Sequence, residues 1–168
     1  METRTAFDPQ QLATVTRAVG MAEELVSNHY KMTSSQWLKP KYDVRTLADL
    51  EPGEIIDGPF AQIIRYQGQP RDASLSSTAY DFYKICLQDH SILRALDCHP
   101  ELRLLSFALY IIAHELIHIV RFSKFHQGFD ASPEERLAEE RRVHELTRAI
   151  LSGVRLIGLA PVFQFYSD

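Results

Sequence analysis

The chain has 168 residues, 45% of them hydrophobic, which suffices for one core and falls short of two ordinary domains, so a single domain over residues 1–168 is expected. A formal net charge of −4, with no Lys/Arg run longer than a pair, argues against nucleic acid as a partner. Residues 1–11 are polar, carrying Glu2, Arg4 and Asp8 without an apolar stretch ahead of a small-residue cleavage site, so no export signal is read and a cytoplasmic location is expected. Cys86 and Cys98 lack C-x-x-C spacing and are expected as reduced thiols rather than a bridge.

Asp8 and Pro9 open a helical pattern that runs to about residue 31, with Leu12, Val15, Ala18, Met21 and Leu25 at helical spacing. Pro9 suits the first helical position and Asp8 the cap. From residue 32 to about 69 the helical period fails and turn residues gather at Lys39-Pro40, Glu51-Pro52-Gly53, Asp57-Gly58-Pro59 and Gln67-Gly68. The short apolar pieces between them, residues 42–47, 54–56 and 60–66, are predicted as strands of a small sheet. Residues 70–77 (PRDASLSS) form a polar loop, and residues 80–96 are predicted as a helix with Phe82, Ile85, Cys86, Leu93 and Leu96 on its apolar stripe, interrupted near Asp89-His90-Ser91.

A long apolar helix follows, expected over about residues 100–125. Its central stretch, residues 104–120 (LLSFALYIIAHELIHIV), approaches the length of a membrane span. It also contains His114, Glu115 and His118, and a carboxylate at bilayer depth costs roughly 3 kcal/mol on insertion scales. No second such stretch exists, so the expectation is a buried helix in a soluble domain, with no membrane partner. Ser132-Pro133-Glu134-Glu135 then reads as a capping box for a last long helix that continues through Leu151 and stops at Gly153. Residues 156–165 are apolar and should pack back on the domain.

His114-Glu115-Leu116-Ile117-His118 spells H-E-x-x-H. On a helix its two histidines share one face, close enough to chelate one Zn²⁺, and Glu115 falls where a carboxylate can take a proton from a metal-bound water. The short connection between the central helix and the next makes an antiparallel pair. Counting from that loop brings Glu140 level with His118, each about 10 Å from the turn, and His144 level with His114. At about 100° per residue, Val143, Leu146, Thr147, Ile150 and Leu151 define the inward arc of the later helix. Glu140 and His144 fall inside that arc and Glu139 at its edge, while Arg141, Arg142, Glu145 and Arg148 fall opposite. A carboxylate and an imidazole among apolar residues are costly unless something binds them, and a metal shared with His114 and His118 would satisfy both. Hydrogen bonding among these polar residues, with His144 on Glu115, is the plainer alternative.

The motif together with Glu140 and His144 resembles the zincin metallopeptidases, in particular the gluzincin branch of thermolysin-like and small single-domain proteins. The resemblance covers about residues 104–151. It implies a predominantly helical α+β fold, His114 and His118 as zinc ligands, Glu140 as the third ligand, Glu115 as general base and a peptide or protein substrate. His144 stands where that branch commonly has an acidic or amide residue bonded to the first zinc histidine. A histidine there departs from the pattern and is either such a support or a fourth ligand. The metzincin branch does not fit, because no Gly stands three residues after His118 and His126 is at the wrong distance. The resemblance also implies an edge strand that aligns substrate, for which residues 60–66 are the candidate. No motif assigns the donor that stabilises the oxyanion; Tyr110, Arg121, His126 and Tyr166 are the residues to test. Two other classes compete: a metal-binding or protein-interaction domain without turnover, and a di-iron carboxylate bundle using Glu115-x-x-His118 with Glu23 or Glu24. The second E-x-x-H of such bundles is missing, since Glu140 and His144 are four apart.

Overall fold

Asp8 starts the first helix as the sequence predicts. Its carboxylate accepts the N–H of Gln11 at 2.8 Å, and the Gln11 side chain accepts the N–H of Asp8 at 2.9 Å, so the first turn is closed from both directions with Pro9 at the first helical position. The helix, α1, spans Pro9–Tyr30 and ends on Lys31, whose φ of 54° puts it in the left-handed conformation that closes many helices. The computed structural model describes residues 4–33, 41–68, 80–124 and 132–167. The predicted polar loop over residues 70–77 lies outside them.

Three strands follow: β1 (Lys41–Arg45), β2 (Ala61–Gly68) and β3 (Tyr80–Leu87). They form a sheet in the order β1-β3-β2, with β1 parallel to β3 in the register Val44↔Ile85 and β2 antiparallel to it in the register Ile63↔Ile85. The last strand corrects the expectation of one helix over residues 80–96. Tyr83, Ile85 and Leu87 are buried at a spacing of two, and the run is aromatic and β-branched, so its backbone is worth more in the middle of a sheet than in a helix. The helical part begins only at Asp89, where the apolar stripe is interrupted, and forms α2 (Asp89–Cys98). Residues 54–56 are not a strand either. Pro52–Glu54 is a 3-10 turn, in which Pro52 supplies no ladder N–H and the Glu54 side chain accepts the N–H of Glu51 at 2.8 Å. Of the predicted residues 60–66, all but Phe60 fall on an edge strand, β2.

The core centres on α3 (Leu104–Lys124). Phe107, Leu109, Ile112, Leu116, Ile117 and Ile119 are fully buried, so the helix is covered on nearly every side, by α1 along its length and by β2, α4 (Pro133–Leu151) and α5 (Leu159–Ser167). Ala18 and Ala22 of α1 are wholly buried in the same core, and their small side chains let the two helices approach closely. Among the described residues α3 is the one helix long and apolar enough to cross a membrane, and 72% of that stretch is buried against the rest of the chain. It starts four residues later than predicted, because Pro100 and Glu101 belong to the turn that precedes it.

Ser132 caps α4, its hydroxyl oxygen accepting the Glu135 N–H at 3.2 Å. Half of the predicted capping box is realised, since the Glu135 carboxylate takes the Ser132 hydroxyl proton rather than a backbone N–H. At the other end of the pair, Gly158 turns the chain into α5 with φ of +95°, and a Cβ there would stand 2.7 Å from Ser106 Oγ on α3. Both the backbone angle and the close approach require glycine, and together they seat α5 against the start of α3.

Candidate metal centre

The antiparallel packing of α3 on α4 brings the two predicted pairs together. His118 Nε2 lies 2.9 Å from Glu140 Oε2, and His114 Nε2 lies 2.7 Å from Glu140 Oε1. The two imidazole nitrogens are 3.2 Å apart, so the carboxylate and both rings converge on one small volume. His144, one turn after Glu140, has its Nε2 at 3.3 Å from Glu140 Oε1 and its ring centroid 4.3 Å from that of His114. His114, His118 and Glu140 have donor atoms all within 4.8 Å of one another, whereas His144 lies outside that group.

Hydrogen bonding alone does not close this cluster. A carboxylate accepts only, so each Nε2 facing Glu140 must carry a proton to bond with it. Two protonated nitrogens 3.2 Å apart then face each other with no lone pair between them. A cation replacing those protons removes the conflict, which is the sense in which these residues fit a metal ion. The Nδ1 atoms of His114 and His118 are buried without a hydrogen-bond partner among the described residues. The bonds that usually orient metal-binding rings are therefore replaced by packing. His118 stacks on Phe122 at 5.6 Å, and His114 lies nearly parallel to Tyr110 at 6.3 Å. Tyr110, His114, His118 and Phe122 form one stripe at a spacing of four. That spacing is visible in the sequence and would have identified Phe122, which the motif alone did not.

Burial opposes the charge on Glu140, but the three imidazoles overcome it and hold this carboxyl far below the usual carboxylate range. For His118, burial disfavours the charged ring, while the bond to Glu140 and the nearby Glu115 outweigh it and raise its pKa. Glu115 is half-buried beside the cluster and has no hydrogen-bond or ion-pair partner among the described residues. Burial pushes its carboxyl up, against the pull of His114 and His118. His144 therefore does not bond to Glu115. Its Nδ1 meets the Tyr110 hydroxyl at 2.7 Å instead.

Glu139, at the edge of the inward arc, points elsewhere: both of its oxygens engage Arg121 of α3, one of them at 3.0 Å from a terminal guanidinium nitrogen. That pairing occupies Arg121, which leaves it a poor oxyanion donor. Tyr166 of α5 stacks on Tyr110 at 4.2 Å and lies 5.3 Å from the ring of His144. Burial raises its pKa, and the neighbouring Tyr110, Glu115 and Glu140 raise it further, so its hydroxyl stays protonated within reach of their fields. Phe163 meets Tyr110 edge-on at 6.3 Å and carries the Arg148 guanidinium at 5.4 Å, completing an aromatic wall on the α5 side. Glu140 and His144, 46% and 34% exposed, face solvent and mark the open side of the cluster. His126 lies outside the described residues. Neither Glu23 nor Glu24 joins the site: Glu23 lines a groove with Tyr42 on the β1 side of α1, and Glu24 is exposed.

No family model, no curated protein and no solved structure matches this chain.

Proposed function

We propose that the protein is a zincin-like, gluzincin-type metallopeptidase of the cytoplasm, cleaving a peptide or protein substrate, with Zn²⁺ held by His114, His118 and Glu140. The observation that carries the reading is the convergence of two Nε2 atoms and one carboxylate at 2.7, 2.9 and 3.2 Å. Ligand atoms around a tetrahedral Zn²⁺ with bonds of about 2.0–2.1 Å lie roughly 3.3 Å apart, so small outward shifts accommodate the ion. When bound, zinc supplies a Lewis acid that lowers the pKa of water towards about 7 and polarises a carbonyl.

The chain's own residues do the remaining work. Glu115, without a partner among the described residues, takes a proton from the attacking water and returns it to the nitrogen of the leaving amine. Tyr166, whose hydroxyl stays protonated and whose ring lies 5.3 Å from that of His144, is the favoured donor to the oxygen that develops negative charge. The outer edge of β2, which no strand pairs among the described residues, offers backbone N–H and C=O groups for an extended substrate segment. A di-iron bundle is set aside, because Glu23 and Glu24 stand away from the cluster.

The test is metal analysis of protein purified without an affinity tag, together with zinc titration of the Glu140→Ala variant. One zinc per chain, with affinity reduced more than the ~10–100-fold typical of losing a supporting residue, is the expected result. A full complement of zinc bound equally well by the variant would overturn the ligand set. Zinc binding without turnover of any unfolded protein substrate would favour the second class, a metal-binding interaction domain.

A further inference from the structure

His144 is the residue whose part in the cluster the spacing left open, and its two ring nitrogens have different partners. Nε2 faces Glu140 Oε1 at 3.3 Å, and Nδ1 faces the Tyr110 hydroxyl at 2.7 Å. Glu140 offers no proton, so a hydrogen bond to it requires the proton of His144 on Nε2. A neutral ring then has its lone pair on Nδ1, where the phenol is the only donor the contact supplies. The phenol is itself held. Tyr166 covers one of its faces at 4.2 Å with the rings 17° from parallel, and Phe163 meets its edge at 6.3 Å. Burial first, and the charge of Glu140 after it, push Tyr110 up to about 12 against the opposing Arg148, so the hydroxyl keeps its proton across the neutral range.

We infer that Tyr110 sets the ring tautomer of His144 and, through it, the orientation of Glu140: both are positioning residues, and His144 is a hydrogen-bond donor to a ligand rather than a ligand. The position of His144 outside the group of mutually close donor atoms agrees with this division of roles. So does the geometry of the helix pair, in which Tyr110 lies one turn before His114 and His144 one turn after Glu140. The contact thus ties the two helices together just beyond the cluster. The tautomer is a property of the metal-free chain. Its effect on zinc affinity rests on the reading given above.

Long-range ¹H–¹⁵N correlation of the histidine rings tests both parts, with the His144 signals assigned by their loss in His144→Gln. In the metal-free wild type, His144 is expected as the Nε2-protonated tautomer with an unprotonated Nδ1, and Tyr110→Phe, which keeps the ring stack, is expected to give a mixture of tautomers. Zinc should move the ring nitrogens of His114 and His118 while His144 retains its Nε2 proton. The Tyr110→Phe variant should then bind zinc ~10–100-fold more weakly at an unchanged melting temperature. An Nδ1-protonated His144 in the wild type, an unaltered tautomer in Tyr110→Phe, or loss of the Nε2 proton on adding zinc would each overturn the inference. Zinc that moves no histidine signal would sink the metal reading instead, leaving the tautomer to be judged on the metal-free spectra.

Discussion

Two carboxylates in this molecule, Glu54 buried and Glu140 half-exposed, are built to opposite ends. Glu54, behind the sheet, receives Lys84 at 2.8 and 2.9 Å, the Tyr66 hydroxyl at 2.5 Å and the Glu51 N–H at 2.8 Å. Every partner is a donor, one of them cationic, and the group is complete. Glu140, between α3 and α4, receives three imidazoles whose protons compete for the same space, and two of those rings keep buried Nδ1 atoms without partners among the described residues. A carboxylate whose bonds close locally stabilises the fold, whereas a cluster that cannot close its own bonds has valences for something else. The pKa directions carry the same distinction. Glu54 is held down to about 2, first by Lys84 and then by Tyr66 and Glu51, while for Glu140 burial is the largest single influence and works against the imidazoles.

Glu115 separates the two regions most clearly. If the α3–α4 cluster is catalytic, Glu115→Gln lowers kcat by about 10²–10⁴ while zinc content and melting temperature stay at wild type; hydrolysis at the wild-type rate would remove Glu115 from the chemistry. Lys84→Met is the mirror experiment. It strands Glu54 and should cost roughly 3–5 kcal/mol in urea unfolding without changing zinc affinity, so an altered zinc titration would show that the two regions are coupled.

The pH dependence of stability sharpens the same contrast. Because the folded pKa of Glu54 is depressed, the unfolded chain binds more protons between the two values, and the stability Glu54 contributes is complete above the unfolded carboxylate value. That contribution disappears as the pH falls from about 4.3 towards about 2. Glu54→Gln should therefore flatten the acid limb of the stability curve in that window, and an unchanged acid limb would contradict the assignment. The smallest effect is expected at Gly158→Ala, about 1–3 kcal/mol, because the added Cβ meets Ser106 and the φ of +95° remains. Adding Ser106→Ala should recover only part of that loss; full recovery would mean that the backbone angle is not strained.

Much of this architecture is legible in one dimension. The Asp8 and Ser132 caps, the long apolar helix and the inward arc of α4 all follow from local chemistry at fixed spacing. The approach of Glu140 to His118 follows as well, because two helices with so few residues between them pack antiparallel and advance about 1.5 Å per residue. Where periodicity is short the reading failed: residues 80–87 and 89–98 share enough apolar residues to pass for one helix, and only pairing with β1 and β2 made the first part a strand.

The sequence by itself determined which residue types stand on one face of each helix, since that depends only on the helical repeat. It therefore brought His114, His118, Glu140 and His144 within reach of one another. Tertiary structure alone decided which partner each side chain takes. Arg121 claimed Glu139, Tyr110 claimed His144, and Tyr166, fifteen residues beyond the end of α4, came to the site on α5. Those choices turn on rotamers and on the packing of a third helix, which no spacing along the chain encodes.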